Sequence, residues 1–380
     1  MKKTMNRTWT RLLTASLMTL AINAHAATLL VGSYTDGTSQ GIYRYGFDER
    51  NGHIDAKPQQ VVKAVSPSWL VLSADQRLLF AVNETAQGHA SSFSLSAKGE
   101  IKPLNQVPSQ GDEPTHASLS HDQRYLFVAN YAVAPDPGGS LVVIPVAKDG
   151  KLKAVVQQAR HSPSKVNPER QAGAHVHSLV LSPDGRHLYA CDLGADKVFI
   201  YRYDGASPEH PLTPAIPASV ELPPGSGPRH LLFDAKGKHA YLTLEMSAEV
   251  VVFDVQDGAL SERQRLPLTD LKDPAAKAAG GLHLSADDRF LYVSNRGTAN
   301  EIVVYAVGKD DGQLTQLQRR SVEGDHPREF TLDPSGDFLL VANQKSNQIV
   351  VMQRDPRKGT LGQTVQKFDQ PAPSDLKFLE

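Results

Sequence analysis

The chain has 380 residues but one cysteine, Cys191, and two tryptophans. A single thiol excludes an intrachain disulfide framework, a Cys-rich zinc site and a C-x-x-C-H haem attachment. Neither sign of charge dominates. There are 40 Lys+Arg against 41 Asp+Glu, which leaves no basic footprint for a nucleic acid. Long apolar runs are missing too. The stretch Leu12 to Ile22 falls far short of the ~20 residues a spanning helix needs. No H-x-x-x-H or H-E-x-x-H helix motif offers a metal site, and the mature part shows no long amphipathic helical pattern. What remains is an ordinary globular composition, 40% hydrophobic and 21% charged, long enough for a large core.

The first residues are set apart from the rest. Lys2, Lys3, Arg7 and Arg11 form a basic start, Leu12 to Ile22 an apolar middle, and Ala24-His25-Ala26 a small-residue cleavage site. Residues 1–26 are therefore expected to be a secretory signal peptide. Arg7 and Arg11 are not adjacent, so they make no twin-arginine pair. Cleavage after Ala26 leaves 36 Lys+Arg against 41 Asp+Glu, a mildly acidic chain suited neither to DNA nor to an anionic membrane. The expected location is the periplasm, with no membrane association after cleavage.

The mature chain repeats itself. Pro67-Ser68-Trp69-Leu70-Val71-Leu72-Ser73-Ala74-Asp75-Gln76-Arg77 runs into Leu78-Leu79-Phe80-Ala81-Val82-Asn83-Glu84. The pattern returns at Pro114–Tyr131, Val176–Leu193, Pro228–Glu245, Ala279–Arg296 and Pro327–Gln344. A seventh copy is split. Its tail is Leu29-Leu30-Val31-Gly32-Ser33-Tyr34, and its head is Pro373-Ser374-Asp375-Leu376-Lys377-Phe378 at the other end of the chain. Ser33, Asn83, Asn130, Asp192, Leu244, Asn295 and Asn343 occupy one repeat position, with steps of 50, 47, 62, 52, 51 and 48. A period near ~50 with several short strands marks a propeller blade. Pro183-Asp184-Gly185 and Pro334-Ser335-Gly336 supply the first turn of a blade, and Asp149-Gly150, Asp257-Gly258 and Asp311-Gly312 the turn between the outer strands. Residues 27–380 are thus expected to form an all-β, seven-bladed propeller of four antiparallel strands per blade. Strands from both termini would complete the last blade.

The start of the innermost strand and the end of the second share one face of such a disc. Two rings of positions follow. The first is Ser68, Thr115, His177, Arg229, Gly280, Arg328 and Ser374; the second is Tyr34, Glu84, Tyr131, Leu193, Glu245, Arg296 and Gln344. The framework letters of the repeat recur, but these positions do not, and they hold His, Arg, Glu and Tyr. Functional groups grafted on a repeated scaffold have this signature. Wet ion pairs at a channel mouth would give the same letters for any one residue; the cluster His177, Arg229, Glu245 and Arg296 points to chemistry.

The pieces His175-Val176-His177-Ser178, Gly227-Pro228-Arg229-His230, Leu244-Glu245-Met246 and Asn295-Arg296-Gly297 sit on three successive blades of the pattern P-x-x-L-x-L-S-x-D-x-R-x-L-Y-V-x-N. In these features the mature chain resembles the lactonase family of seven-bladed propellers, which includes bacterial propeller-type 6-phosphogluconolactonase and fungal carboxy-cis,cis-muconate cyclase. The resemblance implies a hydrolase that opens a sugar (aldono-1,5-) lactone, with His177, Arg229, Glu245 and Arg296 as the catalytic set. Tyr34, Glu84, His116, Tyr131, His175, His230, Arg328 and Gln344 are expected to bind substrate. Two departures bear on the substrate: the chain carries an export signal, and the segments Ala132–Gly139 and Ser162–Gly173 lengthen the blade before His177.

Opening a lactone takes an activated water, a stabilised oxyanion and a protonated leaving alkoxide. Glu245 or His177 would activate the water. Arg229 and Arg296 would stabilise the oxyanion, or one would fork onto an acidic substrate group. His177, with an ordinary pKa of about 6.5, could return the proton to the ring oxygen. Cys191 lies inside a strand and reads as a packed thiol; a covalent serine mechanism is not expected. No cofactor is required by any motif. A divalent ion held by His116, His175, His177, His230, His283 or His326 with Glu84 or Glu245 is a minor alternative. The expected partner is a small lactone, and the expected state a monomer. Two rival functions use the same mouth: a non-catalytic binding module with Trp69, Tyr34, Tyr131 and His116 as anchors, and a lactonising lyase of the muconate-cyclase type with Arg holding a carboxylate.

Overall fold

The computed structural model describes residues 26–131 and 140–379. The expected signal peptide, apart from its last residue Ala26, and the insertion at 132–139 lie outside the described residues. Six sheets of four antiparallel strands follow one another around a central channel. The seventh pairs Pro373–Leu379 with Ala26–Ser33, which in turn pairs with Gly41–Asp48. Thr28 faces Leu379 and Val31 faces Leu376, so both chain ends are locked into one blade. Its outermost strand is broken into His53–Ile54 and Gln60–Lys63, both paired with Gly41–Asp48. Among the described residues the only helical element is a single 3₁₀ turn, Pro274–Ala276.

The recurrent letters now have causes. Five innermost strands begin with proline, at Pro67, Pro114, Pro228, Pro327 and Pro373, a position where the missing N–H costs no ladder bond. In the first turn the serine hydroxyl donates to the aspartate two residues on, as from Ser73 to Asp75 at 2.7 Å and from Ser285 to Asp287 at 2.7 Å. The same hydroxyls accept from the amides of Leu78 and Phe290. The asparagine ending the second strand donates to the chain arriving from the previous blade: Asn83 to Val65, Asn130 to Ser109, Asn295 to Ala276 and Asn343 to Val322. Second-strand tyrosines tie three of the blades to the next. Tyr189, Tyr241 and Tyr292 donate to the carbonyls of Gly258, Gly312 and Gly359 in the neighbour's outer turn.

The core is divided among the seams. Seven apolar clusters each draw on two adjacent blades. Every blade is thus gripped on both flat faces, and ring closure leaves no seam unburied.

One backbone feature decides where the polar groups go. In all seven blades the pairing of the innermost strand with the second slips by a residue near its start, as between Pro67 and Trp69, Val176 and Ser178, and Pro327 and Glu329. A bulge puts two successive residues on one side of a strand. Accordingly Ser68 with Trp69, Arg229 with His230, and Arg328 with Glu329 line the same narrow part of the channel.

Candidate active site

Glu245 is the centre of the mouth. It follows the second strand His239–Leu244, and its amide donates to the carbonyl of Gly227 at 2.7 Å. That glycine has a φ of +68°, and a Cβ there would press on Met246. Asp196 holds the turn from below by accepting from the amides of Gly225 and Gly227 at 2.8 and 2.9 Å. The sequence Gly227-Pro228-Arg229 is therefore a backbone device that brings Arg229 against Glu245.

Three arginines converge on this carboxylate. Arg229 Nε lies 3.1 Å from Oε2, Arg296 Nη2 2.7 Å from Oε2, and Arg170 Nη2 2.7 Å from Oε1. Arg296 is itself aimed by the backbone, since Nε donates to Ala278 and Nη2 to Ala279. Gly297, at a φ of +65°, lets the chain pass Ala275, whose carbonyl a Cβ would overlap. Burial alone would raise the Glu245 pKa; Arg296, Arg229 and their neighbours outweigh it and hold the carboxyl well below its usual range. Burial and the nearby Arg296 push Arg229 down to about 9, which still leaves it charged at neutral pH.

His177 stands beside this cluster, its Nε2 4.0 Å from Glu245 Oε2. Its Nδ1 is buried and has no hydrogen-bond partner among the described residues. Burial and the facing Arg229 hold the imidazole pKa well below 6.5, so the ring is neutral at neutral pH and offers a lone pair. Tyr131 presents its ring to the edge of His177, with centroids 5.6 Å apart, and its hydroxyl accepts from Arg170 at 3.3 Å.

A second carboxylate closes the other side of the mouth. Glu84 accepts from Tyr34 Oη at 2.8 Å and from Ser68 Oγ at 2.5 Å, and Arg328 Nη2 lies 3.3 Å from its Oε1. The Arg328 guanidinium also covers the Tyr34 ring.

The remaining expected residues are spread over other depths. His175 stacks on Tyr131 at 4.5 Å, and its Nδ1 lies 2.9 Å from the Tyr131 carbonyl, so it backs that tyrosine rather than facing the mouth. His116 and His230 lie deeper in the channel, packed against Trp69 and against each other with centroids 5.5 Å apart. Gln344 follows the strand Phe338–Asn343, with Oε1 buried and unpartnered among the described residues. His326 Nε2 comes within 3.5 Å of Arg296. Cys191 is fully buried, and burial raises its pKa to about 12. Among the described residues no three or more His, Cys, Asp and Glu side chains are grouped to hold a metal ion.

Sequence reasoning missed Arg170, which belongs to the inserted segment and so to no repeat position. The long 62-residue step was the signal for it. It missed Glu329, which follows a ring residue and faces the channel only because of the bulge. It also passed over Gly37-Thr38-Ser39-Gln40-Gly41, which has the G-x-S-x-G spacing. The nucleophile elbow needs a strand-to-helix turn; here Ser39 is a buried loop residue just before a strand, 2.5 Å from Ser33 Oγ.

The arrangement can hold an anion or oxyanion against guanidinium groups beside a neutral imidazole, within a closed seven-bladed ring. Known proteins resemble this chain over nearly its whole length. The family described as "Lactonase, 7-bladed beta-propeller" matches residues 28–378. A 6-phosphogluconolactonase of Bacillus subtilis is 31% identical over 354 residues, 92% of this chain and 97% of its own. A 6-phosphogluconolactonase of Formosa agariphila is 32% identical over 360 residues, 92% of this chain and 99% of its own. The structure of a periplasmic gluconolactonase of Pseudomonas aeruginosa superposes with a TM-score of 0.90 at 49% identity, over 93% of this chain and 99% of that one. Blade count, closure and near full-length similarity agree, and the chain belongs to the seven-bladed β-propeller lactonases, as a lactonase-type hydrolase.

Proposed function

We propose that the mouth hydrolyses an aldono-1,5-lactone, with His177 as general base and Arg229 and Arg296 as the oxyanion site. The observation that carries this reading is the buried, unpartnered Nδ1 of a neutral imidazole beside two buried guanidinium groups. A water held by the neutral imidazole gives up a proton to His177 as its oxygen bonds to the lactone carbonyl carbon. The carbonyl oxygen becomes an oxyanion facing Arg229 and Arg296, whose charges are already in place. The ring C–O bond then breaks, and the imidazolium returns the proton to the departing oxygen. The product is an open hydroxy acid. Glu245 keeps the arginines together and stays ionised throughout.

The charge of the mouth favours a lactone bearing an acidic group. Arg170, Arg229, Arg296 and Arg328 stand against Glu84 and Glu245. The guanidinium fork suits a phosphate or carboxylate. We also place the reaction in the periplasm. The basic start, apolar stretch and Ala24-His25-Ala26 site support export, and the P. aeruginosa relative is described as periplasmic.

The test is pH-stat turnover of glucono-1,5-lactone and its 6-phosphate by the mature chain, corrected for spontaneous opening, with and without chelator. Turnover lost in Arg229→Ala and His177→Gln, and unchanged by chelator, is the expected result. Full activity in His177→Gln would remove the base.

A further inference from the structure

A second layer of ionisable side chains lies beneath the mouth, and the chemistry above makes no use of it. Its anchor is Glu329. The bulge between Pro327 and Glu329 turns this residue into the channel directly after Arg328. Its side chain is 2% exposed. Oε1 accepts from the amide of Phe330 at 3.0 Å and lies 2.8 Å from His283 Nε2. Gly281 makes room for it, since a Cβ there would overlap Oε1. Burial works to raise the carboxyl pKa, but the hydrogen bond and charge of His283 lower it below the ordinary value, so it is ionised at neutral pH.

Oε2 of the same carboxylate lies 3.7 Å from His230 Nδ1. Across that imidazole, Nε2 lies 3.3 Å from Arg229 Nη1. A guanidinium nitrogen can only donate, so Nε2 must carry the lone pair. Burial and Arg229 keep the ring neutral at neutral pH. Its one N–H proton therefore sits on Nδ1 and points at Glu329. The 3.7 Å gap is longer than a hydrogen bond, but catalytic contacts are often long before substrate draws them in.

We propose that Glu329 is a positioning residue for hydrolysis: through the Nδ1 proton of His230 it fixes the tautomer whose Nε2 holds Arg229, and so aims that guanidinium at the reacting carbonyl. The proposal rests on the reading of Arg229 as part of the oxyanion site. It assigns the buried layer a purpose. A carboxylate at one end and a guanidinium at the other orient the ring between them, much as outer partners orient a metal-bound histidine.

Glu329→Gln tests the chain of contacts. The amide oxygen takes the Oε1 place, where Phe330 N–H demands an acceptor, and the amide NH2 then faces His230 Nδ1. The ring then meets a donor on both sides, the amide NH2 at Nδ1 and the Arg229 N–H at Nε2, so the Nδ1–H form loses its advantage over the Nε2–H form. The imidazole 15N shifts of His230, assigned by comparison with His230→Gln, should change from the Nδ1–H pattern to a mixture of Nδ1–H and Nε2–H. Turnover should fall about 10- to 100-fold, less than the ~10²–10³ for deleting an oxyanion donor, with KM little changed. Glu329→Asp keeps the charge and should keep the Nδ1–H pattern and regain part of kcat. An Nε2–H pattern in the unsubstituted protein overturns the proposal, and this measurement depends on no variant folding. A fall in kcat without a change of tautomer overturns it too, as does unchanged turnover in Glu329→Gln. Full activity in Arg229→Ala would instead count against the oxyanion reading, whatever the tautomer of His230 does.

Discussion

Arg229 Nε donates to Glu245 Oε2 at 3.1 Å, joining the start of an innermost strand to the end of its neighbour in the same blade. Glu245 had two possible roles, base or anchor. A carboxylate gripped by three arginines and held well below its usual pKa is a poor base. Glu245→Gln should therefore disable the site by releasing the arginines. Turnover should drop by about 100-fold, and urea unfolding should show a loss of about 3 kcal/mol or more, as when a buried ion pair loses one partner. Because its folded pKa is depressed, the stabilisation is complete above the unfolded carboxylate range of about 4.3. It is lost only as pH falls through the lower folded value. A variant with normal stability would show that the three contacts contribute little.

His177 makes the opposite pH prediction to an ordinary histidine base. Its pKa lies well below 6.5, through burial and then Arg229, so the proposed base is already neutral at pH 6.5. The acid limb of kcat/KM should lie below that pH, and the profile should be flat from there to neutrality. Stability follows the same sign. The unfolded chain binds a proton that the folded chain refuses, so stability rises with pH between the folded pKa and about 6.5. His116, lowered to about 3 by burial and Lys377, adds to the same slope. A limb at or above pH 6.5 that disappears in no variant but His177→Gln would contradict this environment.

The blades, their count and their split closure are legible because framework letters recur: Asn83, Asn130, Asn295 and Asn343 each make the same bond. The mouth is legible by contrast, since His177, Arg229, Glu245 and Arg296 break the repeat at aligned positions. The second layer is not. Period-two reasoning sends the residue after a channel-facing one to the opposite side, and nothing in the apolar pattern announces a one-residue slip. Glu329 was thereby hidden behind Arg328, and the depth of His230 could not be read from its neighbour Arg229. Arg170 was hidden differently, in a segment with no counterpart in the other blades and hence no aligned position to compare.

Framework and site should separate experimentally. Tyr292 is fully buried; its hydroxyl donates to Gly359 at 2.7 Å and accepts from Arg354 Nε at 2.5 Å. Tyr292→Phe leaves a buried carbonyl and a guanidinium short of a partner, which costs about 1–3 kcal/mol. Lactone turnover at 25 °C should be unchanged while the Tm falls. Loss of turnover in the still-folded variant would mean that the seam between these blades also shapes the mouth.

Arg170 is the arginine on Glu245 that can change partners. Its side chain is 43% exposed, whereas those of Arg229 and Arg296 are 2% and 5% exposed. Among the described residues its guanidinium is placed by Glu245 Oε1 at 2.7 Å and Tyr131 Oη at 3.3 Å. Solvent screens this half-exposed guanidinium more than the two buried ones, so Arg170→Ala should fold with a Tm close to that of the unsubstituted protein. Glu245 keeps two arginines, so the proposed oxyanion site survives. What is lost is the cation nearest solvent, where an acidic substituent of the lactone would arrive. The kcat/KM for the 6-phosphate should fall by about 10-fold, the size of one lost charge-assisted hydrogen bond, and that for the neutral lactone much less. Measured side by side, the ratio decides the role. An equal fall on both substrates would mean that Arg170 serves Glu245 alone, and that Arg328 is left to meet any anionic group.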